Sequence, residues 1–195
     1  MSAPYPIQLA PADIWLAPIG EAFPSINDTP AANWVLRLPA TSITEDGITI
    51  APQVQDSRVF ALGSVAPVKA GIVQRQFTLE CNLMDMTVEA IALAMGGDPD
   101  DVTDTAAAGG EPGHRSIALP SSPVPQGWAA LVRWGQSGYG DDFNSQYEIK
   151  SVVQVGGGGH RFHKADPLAP AFNLVALWTD ANWVVFRSQD AAVSP

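Results

Sequence analysis

The chain is short of four things, and each shortage narrows what it can do. It has one cysteine, Cys81, in 195 residues. No intrachain disulfide can therefore staple it, and a reducing cytoplasm suits its synthesis. It has 10 Lys+Arg against 20 Asp+Glu, a formal net charge of −10. A protein that grips nucleic acid neutralises phosphates with clustered cations. Here Arg37, Arg58, Lys69, Arg75, Arg115, Arg133, Lys150, Arg161, Lys164 and Arg187 read as scattered. Composition thus argues against tight nucleic-acid binding, though not against a surface that DNA passes without adhering. No apolar run approaches the ~20 residues of a spanning helix. The opening MSAPYPIQLAPADIW lacks the positive and apolar regions of a secretory signal, so the expectation is a soluble chain with no membrane insertion. Histidines number three, too few to make metal chemistry an obvious theme.

What is present points to β structure. The chain is 46% hydrophobic, with 17 Gly and 17 Pro, enough apolar matter for a core and too many breakers for long helices. A single domain over 1–195 is the simplest division. Residues 1–33 carry Pro4, Pro6, Pro11, Pro18, Pro24 and Pro30 and read as an extended arm with one edge strand. NWVLRLP (33–39) reads as a short strand with Trp34, Leu36 and Leu38 on one face. Asp46-Gly47 reads as a hairpin turn. In QRQFTLECNL (74–83), Phe77, Leu79, Cys81 and Leu83 alternate with polar residues, the mark of a half-buried strand. Cys81 on that apolar face is expected to be an inert core thiol.

Residues 86–95 form the one expected helix, capped by Asp85 or Thr87, with Val88, Ile91, Leu93 and Met95 as its apolar stripe and Gly96-Gly97 as its stop. The acidic, breaker-rich run 97–113 reads as a solvent loop. Further strands are expected at 115–120, 127–135 and 145–155, and the 172–187 region reads as a hairpin about Thr179–Asn182.

Candidate chemistry is thin. His160, His163 and Asp166 have zinc-type donors, but they sit between a tetraglycine and Pro167, where no element fixes their geometry. Asp98, Asp100, Asp101 and Asp104 resemble a calcium loop by charge alone, without its glycine or closing glutamate. Gly135–Gly140 misses the nucleophile-elbow spacing by one residue, and the tetraglycine 156–159 is followed by no helix that would cradle phosphate. No active site emerges, so the expectation is neither an enzyme nor a cofactor-binding protein. Trp128, Trp134, Trp178 and Trp183 could stack on sugars, which keeps a β-sandwich carbohydrate or receptor binder as the alternative. The plainer reading is that they fill a core.

The order of features resembles the major tail protein, or tail tube protein, of long-tailed (siphovirus-like) bacteriophages. The likeness covers most of the chain. It rests on the run from EDGITI through a Pro-Val turn, on the alternating strand passing straight into LMDMTVEAIALAMGG, and on the ending ADPLAPAFNLVALWTD. The proline-rich arm departs from the family pattern. The resemblance implies a mainly β, sandwich- or barrel-like domain with one short flanking helix and long loops. It implies hexameric rings stacked into a virion tail tube around a tape-measure protein, bounded by tail-tip and terminator proteins, through which DNA passes unbound. It makes the excursion 43–73 a long hairpin or loop for inter-subunit contacts. Ile48, Ile50, Val54, Val59, Phe60, Leu62 and Val65 there are more apolar than solvent alone would tolerate. Asp46, Asp56, Glu80 and Glu148 are the candidate acids of the lumen.

Overall fold

The structure is a computed structural model. It describes residues 11–60, 67–84, 87–118, 126–135, 143–155, 171–177, 179 and 182–189, with the backbone alone for 54–60 and 67–74. Ten strands follow in chain order: β1 (Ala12–Ala17), β2 (Val35–Leu38), β3 (Ile43–Phe60), β4 (Pro67–Leu83), β5 (Thr103–Thr105), β6 (His114–Ser116), β7 (Gly127–Trp134), β8 (Ser145–Gln154), β9 (Ala171–Ala176) and β10 (Val184–Ser188). One helix, α1 (Val88–Ala94), lies between β4 and β5. The protein is mainly β: one eight-stranded antiparallel sheet, one two-stranded hairpin and one short helix.

The sheet runs β2-β1-β7-β8-β9-β4-β3, with β10 also paired to β8. Its two outer strands, β2 and β3, are consecutive in the chain and joined by a single 3-10 turn, Ala40–Ser42. That turn is held at β1, where Asp13 accepts from the Ala40 amide at 2.8 Å. The sheet therefore curls toward itself, yet β2 and β3 share no ladder and the barrel stays open. The inner face gathers one core: Ile14 and Leu16 of β1, Ala130 and Val132 of β7, Ile149 and Val152 of β8, Phe172 and Leu174 of β9, and Leu79, Cys81 and Leu83 of β4.

α1 closes one side of this core. Thr87 caps it by accepting from the Ala90 amide at 3.2 Å, and Gly96 at φ 77 ends it. The buried residues are Ala90, Ala92, Leu93 and Ala94, while Met95 is exposed. Of the expected stripe Leu93 is buried, Val88 and Ile91 are half-buried and Met95 is exposed, while the small side chains of Ala90, Ala92 and Ala94 face inward beside Leu93. Ala90, Leu93 and Ala94 have the i, i+3, i+4 spacing of a helical face, and alanines let the helix sit close to the sheet.

Three further expectations need correction. Trp34 and Leu38 do not share a face. β1 meets β2 at Ile14↔Leu38 and then Trp15↔Leu36, so Arg37 is an extra residue, and a bulge inverts the alternation. Leu38 enters the main core, while Trp34 joins Ala17, Ala129 and Leu131 on the opposite face of the sheet. The region 172–187 is no hairpin. β9 and β10 both run antiparallel to β8, along one of its edges, at Val152↔Ala176 and Ile149↔Val184. β9 and β10 therefore share one strand direction and do not pair with each other. The acidic run 97–113 is exposed as expected but ordered: Asp98 caps a 3-10 turn at Pro99–Asp101, and β5 pairs with β6. Arg37 holds Asp100, and Arg115 holds Glu89 and Asp104.

The first ten residues of the arm lie outside the described residues. The rest of the arm supplies β1, and residues 18–34 then cross the outer face of β1, β7 and β8, where Phe23 packs on Trp34 at 5.0 Å between ring centres.

Two outcomes follow from this packing. Phe172→Ala, at a fully buried position under the helix and sheet, lowers unfolding free energy by about 3–5 kcal/mol in denaturant titrations. Burial pushes the Cys81 thiol from 9.0 up to about 12. The folded protein therefore resists thiol reagents at pH 8 and reacts once unfolded. Because the unfolded thiol ionises first, stability is unaffected below about pH 9 and falls as pH rises from there toward 12.

Candidate functional site

The longest elements, β3 and β4, form one hairpin of 18 and 17 residues per arm. Asp46-Gly47 is not its turn. Ile43 faces Leu83 and Ile48 faces Cys81, so residues 44–47 bulge against Asn82 alone. Gly47 at φ 72 supplies the left-handed conformation this needs. The arms then pair as far as Phe60↔Pro67. Residues 61–66, which follow β3 in the chain and precede β4, lie outside the described residues.

β4 pairs with β9 only from Thr78↔Val175 to Asn82↔Ala171. Beyond that, among the described residues, 53–60 and 67–76 pair only with each other. At ~3.3 Å per residue this two-stranded ribbon runs on for roughly 25 Å past the sheet. Two strands alone are marginally stable in water, and each outer edge offers unpaired backbone groups to another chain.

The parity of the ladder fixes which groups those are. Asn173 and Leu177 bond to β8, so Phe172 and Leu174 turn their backbone toward β4, opposite Cys81 and Leu79. The alternate residues of β4 then bond to β3, which leaves the backbone nitrogens of Ile48, Ile50, Pro52 and Val54 on β3's outer edge. Pro52 is tolerated there because its missing N–H costs no bond within the sheet.

Among the candidate contact residues, Ile48 and Ile50 are half-buried against the main core. Val54, Val59 and Phe60 stand on the ribbon opposite Arg75, Lys69 and Pro67. Leu62 and Val65 lie outside the described residues. Among the candidate acids, Asp46 and Glu80 are exposed at the hairpin's base, and Asp56 stands opposite Ile72 on the ribbon. Asp46 and Glu80 line a recess of about 220 Å³ together with Thr49, Asn82 and Asn173. The Oδ1 atom of Asn173 is buried with no hydrogen-bond partner among the described residues.

Glu148 sits elsewhere. It is 5% exposed and accepts from Arg187 Nε at 2.6 Å and Gln146 Nε2 at 2.7 Å. This pair belongs to a polar network that sequence reading missed, because its members come from three strands. Arg133 donates to Gln146 Oε1 at 3.0 Å and to the carbonyls of Asp28 and Ser25 at 2.6 and 2.9 Å. Gln146 donates to the Pro24 carbonyl at 3.2 Å. The network pins residues 24–28 to the outer face. Burial holds the Arg133 guanidinium below its ordinary value, against the opposing pull of Asp28 and Glu148.

The other candidates are soon placed. Trp128 is buried in the core, Trp134 stacks on Phe186 at 6.0 Å, and Trp183 meets Phe77 edge-on at 6.4 Å. Trp178, His160, His163 and Asp166 lie outside the described residues. Among the described residues no helix is long and apolar enough to cross a membrane.

Arg187→Ala would leave the buried Glu148 carboxylate without its cation and should cost about 1–3 kcal/mol of stability by thermal or chemical unfolding. Glu148→Gln, which removes the charge as well as the ion pair, should cost less. No protein-family model matches the chain, and no curated protein is significantly similar to it.

Proposed function

We propose that the protein is a structural subunit of a phage-type tail tube. Six copies close into a ring, and rings stack around a tape-measure protein between tail-tip and terminator proteins. The finished tube conducts DNA from the virion. The observation that carries this reading is the ribbon of β3 and β4, which continues past the sheet with neither outer edge paired among the described residues. A chain that keeps so long an edge gains most by pairing it with other copies, and ring closure removes edges altogether.

In such an assembly the curled, open sheets complete a sandwich- or barrel-like wall with their neighbours. The feature order of the sequence supports the same reading, and so does the net charge of −10, since a conduit of like charge repels phosphate and keeps passage fast. Asp46, Asp56 and Glu80 are the acids that can serve the lumen. Glu148 is committed to Arg187 within the subunit. The subunit is made in the host cytoplasm, and its work is mechanical, with no catalytic step.

Negative-stain microscopy of concentrated protein, alone and beside a tail-tip initiation complex, should show hexameric rings or tubes. A strict monomer under both conditions overturns the reading. Hydrogen exchange adds a local test: the outward amides of Ile48, Ile50 and Val54 gain protection in the tube, and equal protection in monomer and tube would exclude this edge from the contact.

A further inference from the structure

The ion pair of Glu148 and Arg187 uses only part of each group. Val185 faces Glu148 and Arg187 faces Gln146, so the two charges are diagonal neighbours on the outer face of β8 and β10. Glu148 Oε1 takes both bonds, from Arg187 Nε and Gln146 Nε2. An ionised carboxylate has about four acceptor sites over its two oxygens. Here Oε2 accepts from no described residue. Arg187 likewise uses Nε alone, and its Nη1 and Nη2 atoms donate to no described residue. The Glu148 side chain is only 6% exposed, against 58% for Arg187. A carboxylate held that deep leaves an idle oxygen in need of a donor.

Both groups open on one space. They line a recess of about 330 Å³ together with Phe23, Pro24, Ser25 and Ile26, at the small end of ligand-sized pockets. Oε2 is not among the sealed, unpartnered atoms, so it is reached from this recess. Phe23, Pro24 and Ile26 are half-buried and give the recess an apolar wall. That wall is fixed in advance, because Gln146 holds the Pro24 carbonyl and Arg133 holds those of Ser25 and Asp28. The surrounding charges cancel: Arg133 and Arg187 stand against Asp28 and Glu148. A ligand with net charge of either sign is drawn by one group and opposed by another. A ligand with both signs, closely spaced, gains at both.

We infer that this recess binds a free α-amino acid with an apolar side chain. The ammonium group donates to Glu148 Oε2 at the floor. The carboxylate accepts from Nη1 and Nη2 of Arg187, whose planar fork suits two parallel bonds. The side chain lies against Phe23, Pro24 and Ile26. Each of the three parts of the ligand thus meets a group that the fold leaves unused. The site stands apart from the assembly reading, because it lies on the outer face of β8 and β10 and uses nothing of the β3 and β4 hairpin.

The test titrates L-leucine into the full chain by calorimetry, with thermal shift as a second readout. A Kd of about 1 mM or tighter is expected. Three analogues each lack one part: leucinamide the carboxylate, 4-methylpentanoic acid the ammonium, and glycine the side chain. Each should bind at least about tenfold more weakly. Hydrogen exchange locates the ligand without any mutation: the amides of Phe23, Ser25 and Ile26 should gain protection in saturating leucine. Glu148→Gln and Arg187→Lys, shown to fold by thermal melts, should each weaken leucine at least about tenfold, the first by losing the anion and the second the fork. No binding of leucine at about 10 mM overturns the site. Leucinamide or 4-methylpentanoic acid binding as well as leucine overturns the pairing of both charges with one ligand. Unchanged exchange at Phe23–Ile26 under saturation, or wild-type affinity in both folded variants, puts the ligand elsewhere and overturns the assignment. If neither variant folds, the analogue series and the exchange data on the wild type decide it.

Discussion

The fold depends on the backbone ladder of β8. One edge of this strand is taken by β7, and the other is shared by β10 along its first half and β9 along its second. Both faces are covered, the inner by Ile149 and Val152 in the core and the outer by Gln146 and Glu148 beneath residues 24–28. Buried backbone groups must be paired, and on β8 the partners come from chain segments before and after it. Dividing one edge between two strands also splits the sheet. β9 goes on to pair with β4, whereas β10 pairs with β8 alone. The hairpin of β3 and β4 is thereby free to leave the body along its own line.

Much of this was legible in the residues, for definable reasons. Alternation in QRQFTLECNL reports burial on one face, and the structure buries Phe77, Leu79, Cys81 and Leu83 accordingly. Thr87 and Gly96 report the ends of a helix through local hydrogen bonding and a positive φ. Such signals describe what a residue needs nearby. They do not say which segment supplies it. Asp46-Gly47 announces a left-handed residue, and a bulge satisfies that as well as a turn does. The run after β9 announces a loop, but whether the chain reverses there depends on β8, some thirty residues earlier in the sequence. The bulge at Arg37 left no local mark, and it moved Trp34 to the other face.

The candidate site was half legible. The apolar excess of residues 43–73 pointed to a covered surface, and the prolines and glycines argued against a central strand. The network of Arg133, Gln146, Glu148 and Arg187 was hidden, because its members lie on three different strands. Interactions between strands become readable only when the register is known.

Pro52 bears on fidelity as well as tolerance. The outer edge of β3 presents backbone nitrogens at Ile48, Ile50, Pro52 and Val54, and at Pro52 the donor is absent. A stray strand settling on this edge meets an interruption midway and can make only short runs of bonds on either side. Long, indiscriminate zippering of the kind that seeds fibres is therefore disfavoured. Partners that bring other attractions, such as charge or shape, lose little from one missing bond. A single imino acid thus acts as a filter on the most adhesive line of the molecule, separating prolonged contact with the wrong chain from brief encounters that dissolve.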